Sequence, residues 1–108
     1  MILYHLTEAK AWEMALDKGF YAHPSLESEG FIHFSTEAQL LQTAARYFKS
    51  EDELVVLEVS EKKVKDLLKW EPSTNDELFP HVYGRLELSM VGNTNMLMRN
   101  KDGMWEKV

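Results

Sequence analysis

The run Leu54-Val55-Val56-Leu57-Glu58-Val59 restricts the fold more than any other stretch of the chain. Five of its six residues are apolar and only Glu58 interrupts it. A strand with one face in water alternates polar and apolar residues, whereas a strand covered on both faces has no need to. The run therefore predicts a central strand that anchors the core. A chain of 108 residues supplies one such core, so residues 1–108 are read as a single domain built around it.

The flanking sequence supplies both strands and helices. Ile2 to Leu6 is β-prone and places His5 inside a strand, after which Thr7 reads as the N-cap of a helix carrying Ala9, Trp12, Ala15 and Leu16. Trp12 and Leu16, four apart, are expected on its inner face, and Gly19 ends it. His23-Pro24-Ser25 reads as a turn. A second helix is expected from about Glu37 to Phe48, with a broad stripe formed by Leu40, Leu41, Ala44, Ala45, Tyr47 and Phe48. Val64, Leu67 and Leu68 are spaced to face inward from a short helix over Ser60 to Lys69. Glu71 precedes Pro72 and is biased to extended geometry, while Pro80 argues against a central strand through Phe79. His81 to Tyr83 can begin a strand with His81 and Tyr83 on one face. Leu86 to Val91 continues the β pattern, Asn93 to Asn95 reads as a turn, and Met96–Arg99 with Met104–Val108 reads as a closing hairpin. The class that results is α+β.

Charge and composition narrow the function. Eighteen acidic residues against twelve basic ones leave a net charge of −6, which repels extended duplex DNA but leaves room for a small nucleotide or an RNA end held locally. Without cysteine there is no disulfide, no thiolate nucleophile and no thiolate metal site. No run of 18 apolar residues is present to span a membrane. Met1 to His5 lacks the basic and apolar regions of a signal peptide, so the expected compartment is the cytoplasm.

The second organising stretch is Gly30-Phe31-Ile32-His33-Phe34-Ser35-Thr36. It reads as a strand that delivers an imidazole into a helix start capped by Ser35 and Thr36, a setting suited to a small anionic ligand. The alternative is a histidine satisfied by structural hydrogen bonds. His33 and Ser35 are two apart and are expected to share a strand face. Four histidines, spaced by 18, 10 and 48 residues, are the chief titratable groups. None lies in a compact metal-ligand motif, so a metal-dependent hydrolase would have to assemble its ligands from separate segments. There is no GxSxG elbow, P-loop or GxGxxG fingerprint. Glu58 and Glu71 could work as paired carboxylates only if the fold brought them together.

The blocks Gly30–Thr36, Trp70–Ser73 and Glu77–Gly84, with Tyr4-His5-Leu6-Thr7 and Trp12, resemble the signature of a family of small bacterial proteins known as a domain of unknown function. That family in turn resembles the ADP-ribosyltransferase-like fold, which implies split β-sheets, two to three helices and a cleft for NAD. Tyr4-His5-Leu6-Thr7 is similar to that fold's first-strand His-Gly-Thr/Ser motif, and Gly30 to Tyr47 is similar to its second motif, with Ala44–Tyr47 matching the tail. By this resemblance His5 and Thr7 hold the ribose, His33 and Ser35 stand at the reacting centre, and His81 or Tyr83 completes the pocket, with Tyr83 and Glu71 among the cofactor-binding candidates. Departures are Leu6 for Gly, His33 for Tyr, and a late glutamate for which Glu77 or His81 is the candidate. The paired histidines look more like the branch containing RNA 2′-phosphotransferases. The implied function is ribosyl or phosphate transfer on NAD or a nucleotide, or else nucleotide binding without turnover. Arg46, Arg85 and Arg99 are the only arginines from which to build a phosphate clamp.

Overall fold

The computed structural model describes residues 1–108. Along the chain run β1 (Ile2–Thr7), α1 (Ala9–Lys18), β2 (Phe20–Tyr21), α2 (Ser25–Ser28), β3 (Ile32–His33), α3 (Leu40–Tyr47), β4 (Glu53–Ser60), β5 (Leu68–Pro72), β6 (Leu78–Val82), β7 (Leu86–Glu87), β8 (Val91–Arg99) and β9 (Trp105–Lys107). They form a four-stranded sheet in the order β1-β4-β8-β9, a three-stranded sheet in the order β3-β6-β5, and the ribbon β2-β7, all antiparallel. The chain is thus α+β, and no helix is long and apolar enough to cross a membrane.

β4 is the central strand expected from its composition, paired on both edges and buried on both faces. Its period-two geometry sorts the core. Val55, Leu57 and Val59 join Leu3, Ala15, Tyr21, Ile32 and Phe34 on one side. Leu54 and Val56 join Leu6, Leu40, Ala44, Leu97 and Trp105 on the other. Burying each such leucine or valine contributes roughly 2 kcal/mol. The same parity in β1 turns His5 and Thr7 inward on the side of Leu3.

Local signals hold at several ends. Gly19 (φ +92°) closes α1 with its N–H on the Ala15 carbonyl at 2.9 Å. Thr36 forms a capping box with Gln39 at the 3₁₀ turn that leads into α3. The Gln39 amide also donates to the Leu78 carbonyl at 2.8 Å and to Glu77 at 3.0 Å, fastening α3 to β6. The closing hairpin is present, with Arg99 opposite Trp105.

Other expectations are corrected. Thr7 does not cap α1; that position is Glu8, and the Thr7 hydroxyl turns to Tyr21. Leu16 is 53% exposed, because α1 packs through Ala11, Trp12 and Ala15. Residues 60–69 form a single 3₁₀ turn at Glu61–Lys63 and then enter β5. The spacing of Val64, Leu67 and Leu68 fits either outcome, and the open edge of β6 recruits Leu68–Pro72 into five register pairs. Asn93–Asn95 lies within β8 rather than in a turn. Pro80 sits in the middle strand of its sheet. Its carbonyl accepts from Phe34 N–H, so its missing N–H would point to the same side, where β3 has already ended.

Candidate functional site

β1 and the segment that follows β3 are joined by one bridge, Tyr4 to Ser35, with N···O distances of 2.9 and 2.7 Å. Beside that bridge a cleft of about 420 Å³ opens against α3 and the β5–β6 turn. Tyr4, Phe34, Tyr47, Phe48 and Phe79 give it aromatic walls, and its polar lining includes His5, His23, Glu29, His33, Ser35 and Thr43. Tyr47 reaches Thr74 across the rim, O···O 2.6 Å. A second cleft of about 300 Å³ lies beside α1, and Leu6, His23 and Phe48 line both.

Each of the four histidines has its tautomer set by a neighbour whose hydrogen-bonding role is fixed. His5 Nδ1 lies 2.6 Å from the His33 carbonyl, which only accepts, so Nδ1 carries the proton. Nε2 is then a lone pair and accepts from the Tyr21 phenol at 2.7 Å. The same phenol oxygen lies 3.0 Å from the Thr7 hydroxyl, which completes the network. His5 is 4% exposed, and burial lowers its pKa to about 3 while raising that of Tyr21 to about 12. The chain Thr7–Tyr21–His5–His33 carbonyl is therefore neutral and fully paired.

His23 is fixed the other way round. The Ser25 backbone N–H, whose direction the chain dictates, points at Nδ1 from 3.0 Å, and the Ser25 hydroxyl lies within hydrogen-bond distance of both Nδ1, at 2.9 Å, and the Phe31 carbonyl, at 2.7 Å. Nδ1 is thus an acceptor and the proton resides on Nε2, which has no partner within the protein. Burial, and then the nearby His33, depress the His23 pKa.

His33 Nε2 donates to the Glu29 carboxylate at 2.8 Å, leaving Nδ1 as a lone pair in the neutral ring. Both partners are about half exposed. Gly30 (φ +89°) gives the turn between them a left-handed residue that a side chain would strain. His81 Nδ1 donates to Glu71 Oε1 at 2.8 Å, and the Tyr83 hydroxyl donates to the same oxygen at 2.6 Å. These two bonds, Tyr83 first, hold the Glu71 carboxyl below its usual range, and the same carboxylate pushes Tyr83 up. Phe31 stacks on the His81 ring at 4.0 Å, and His81 Nε2 is buried without a partner.

The structure brings His5, His33 and Ser35 to one cleft and leaves the other expected residues beside it. Thr7 faces the smaller cleft. His81, Glu71 and Tyr83 form their own network, which touches the cleft through the His33 ring, 5.2 Å from that of His81. His33 is exposed, whereas Ser35 is buried with its hydroxyl 3.0 Å from that of Thr43, and both line the cleft. Glu77 is engaged by Gln39, and Glu58 pairs with Asn95 in the other sheet, away from Glu71. Sequence reasoning left out His23 and Glu29. Their signals were present in the His-x-Ser spacing, which lets a backbone N–H return to the ring, and in a glutamate just before Gly30.

No three His, Asp or Glu side chains converge as a metal site. No lysine or arginine lines the larger cleft, and Lys18 lines the smaller one. Arg99 is spent on the carbonyls of Phe48, Glu51 and Gly103, and Arg85 pairs with Glu87.

Residues 6–94 match the family described as Protein of unknown function (DUF952). The chain belongs to this family. Its fold is shared by protein CC0527 from Caulobacter crescentus, whose crystal structure superposes with a TM-score of 0.89 at 31% identity, covering 98% of this chain and 94% of that one. The solution NMR structure of the same protein gives a TM-score of 0.83 at 32% identity, covering 95% and 90%. No curated protein matches the chain. The match takes in every residue lining the larger cleft except Tyr4 and His5.

Proposed function

We propose that this domain handles a nucleotide, with NAD as the leading substrate, in a split-sheet cleft related to the ADP-ribosyltransferase-like fold. One observation carries the reading: the Tyr4–Ser35 bridge sets side by side the two segments that resemble that fold's motifs, and the cleft opens at that bridge. Aromatic walls suit a stacked ring, and the hydroxyls of Ser35, Thr43 and Thr74 suit a sugar. His33 is the proposed base. Its Nδ1 lone pair takes the proton of an attacking hydroxyl, and Glu29 stabilises the imidazolium that forms. This favours ribosyl or phosphate transfer, including at an RNA 2′-phosphate end, over metal-dependent hydrolysis, for which no ligand set is assembled. His5 and Thr7 support the site through Tyr21 and the His33 backbone, and His81, Glu71 and Tyr83 buttress the His33 ring.

Thermal denaturation with NAD, ADP-ribose or a 2′-phosphorylated RNA end tests this. At ten times Kd the stabilisation is about 1.4 kcal/mol, a rise in Tm of roughly 5 °C or more, and His33→Ala is expected to abolish it. No shift with any of the three overturns the reading. Turnover is separable from binding: a shift without NAD consumption over long incubation identifies a binding module of the same cleft.

A further inference from the structure

We infer that His23 is a specificity-determining residue, a fixed neutral N–H donor that recognises an uncharged acceptor, a ring carbonyl or ring nitrogen, on the part of the ligand seated in the larger cleft. The inference deepens the nucleotide reading by placing the uncharged, base-bearing portion there.

Three observations support it. First, of the eight ring nitrogens, His5 uses both, and the bound nitrogens of His33 and His81 are tied to carboxylates. His33 Nδ1 and His81 Nε2 are left as lone pairs, so His23 Nε2 is the one ring N–H that the protein does not already use. Second, the donor is held in place. The ring meets His5 edge to face at 5.5 Å, and Nδ1 is pinned by the N–H of Ser25, a residue 5% exposed whose buried amide has no other partner. Moving the proton to Nδ1 would set two N–H groups against each other and strand that amide. A neutral imidazole so fixed cannot act as a base at Nε2, and it offers a directional donor without a full charge. Third, the larger cleft supplies no cationic side chain to compete with a neutral donor. His23 stands where the two clefts meet, no lysine or arginine lines the larger one, and Glu29 adds negative charge to its wall.

The test uses the intact chain labelled with ¹⁵N at histidine. Long-range ¹H–¹⁵N spectra at neutral pH are expected to show His23 protonated on Nε2 only. Titration with nicotinamide, adenosine, guanosine and uridine is expected to move the His23 Nε2 signal with at least one of them, and inorganic phosphate is not. His23→Gln, whose amide N–H occupies about the Nε2 position, should keep affinity for that compound within about threefold, whereas His23→Phe should lose about tenfold, the effect of one neutral hydrogen bond. An Nδ1–H tautomer, a response to phosphate in preference to all four, no response to any, or equal loss in the Gln and Phe variants overturns the inference. The wider nucleotide reading is judged separately, by the His33→Ala thermal shift. A variant that fails to fold is bypassed by the tautomer and titration data, which need only the wild-type protein.

Discussion

His5 and His33 lie on segments joined by a single bridge, and the ring of one donates to the carbonyl of the other, yet they occupy opposite circumstances. His5 is sealed in the core with both nitrogens satisfied by protein. His33 is 45% exposed, is tied to Glu29 at one nitrogen, and leaves the other to solvent and the cleft. The difference teaches a division of labour. The buried imidazole holds a backbone position, and because that position is held, the exposed imidazole can be aimed without being buried. A buried polar network has to be fully paired to be tolerated, and the Thr7–Tyr21–His5 chain is.

The comparison breaks most visibly at His5. His5→Ala would leave the Tyr21 hydroxyl and the His33 carbonyl without their partners in the interior and would open a cavity, with an expected cost of about 3 kcal/mol. Denaturant unfolding measures it, and a loss below about 1 kcal/mol would show that this chain does not support the site.

Acid sharpens the same contrast. The unfolded chain protonates His5 near pH 6.5, whereas the folded chain does so only near about 3. Between those values the unfolded state binds more protons, so stability is full above pH 6.5 and falls as the pH drops toward 3. The limiting slope is about 1.4 kcal/mol per pH unit. Depression of the His23 and Glu71 pKa values acts in the same direction. His5→Gln should flatten the pH dependence of Tm across this window, and an unchanged profile would contradict the assignment of a neutral, buried His5.

The smallest stability effect is expected at Glu29. Its pair with His33 is half exposed, and such pairs contribute about 0–1 kcal/mol, so Glu29→Gln should change stability by about 0.5 kcal/mol or less. Under the proposed transfer reaction, turnover should by contrast fall at least about tenfold, because an amide stabilises the imidazolium less well than a carboxylate. A large stability loss would make the pair structural and erase the distinction from His5.

Much of the fold could be read from short windows. The apolar run of β4 marked the central strand, Ser35 and Thr36 marked a helix start, and Gly19 marked a helix end, because each is decided by neighbours within a few residues. β5 could not be read this way. Val64, Leu67 and Leu68 carry a spacing compatible with a helix, and the open edge of β6, ten or more residues away, settled the matter. The site divides along the same line. The histidine-rich stretches were visible, but which histidine would be enclosed and which exposed was not, since the deciding partners of His5 are Tyr21 and a carbonyl 28 residues distant.

By itself, the sequence determined the central strand at Leu54–Val59, an α+β class, and its candidate chemistry concentrated on histidines. The tertiary structure alone decided which nitrogen of each imidazole holds the proton, brought His23 and Glu29 to the cleft, and turned Thr7 away from it. Periodicity and capping are local properties of the backbone, whereas a tautomer is fixed by whichever donor or acceptor the fold places about 3 Å from the ring, and that neighbour is often remote in sequence.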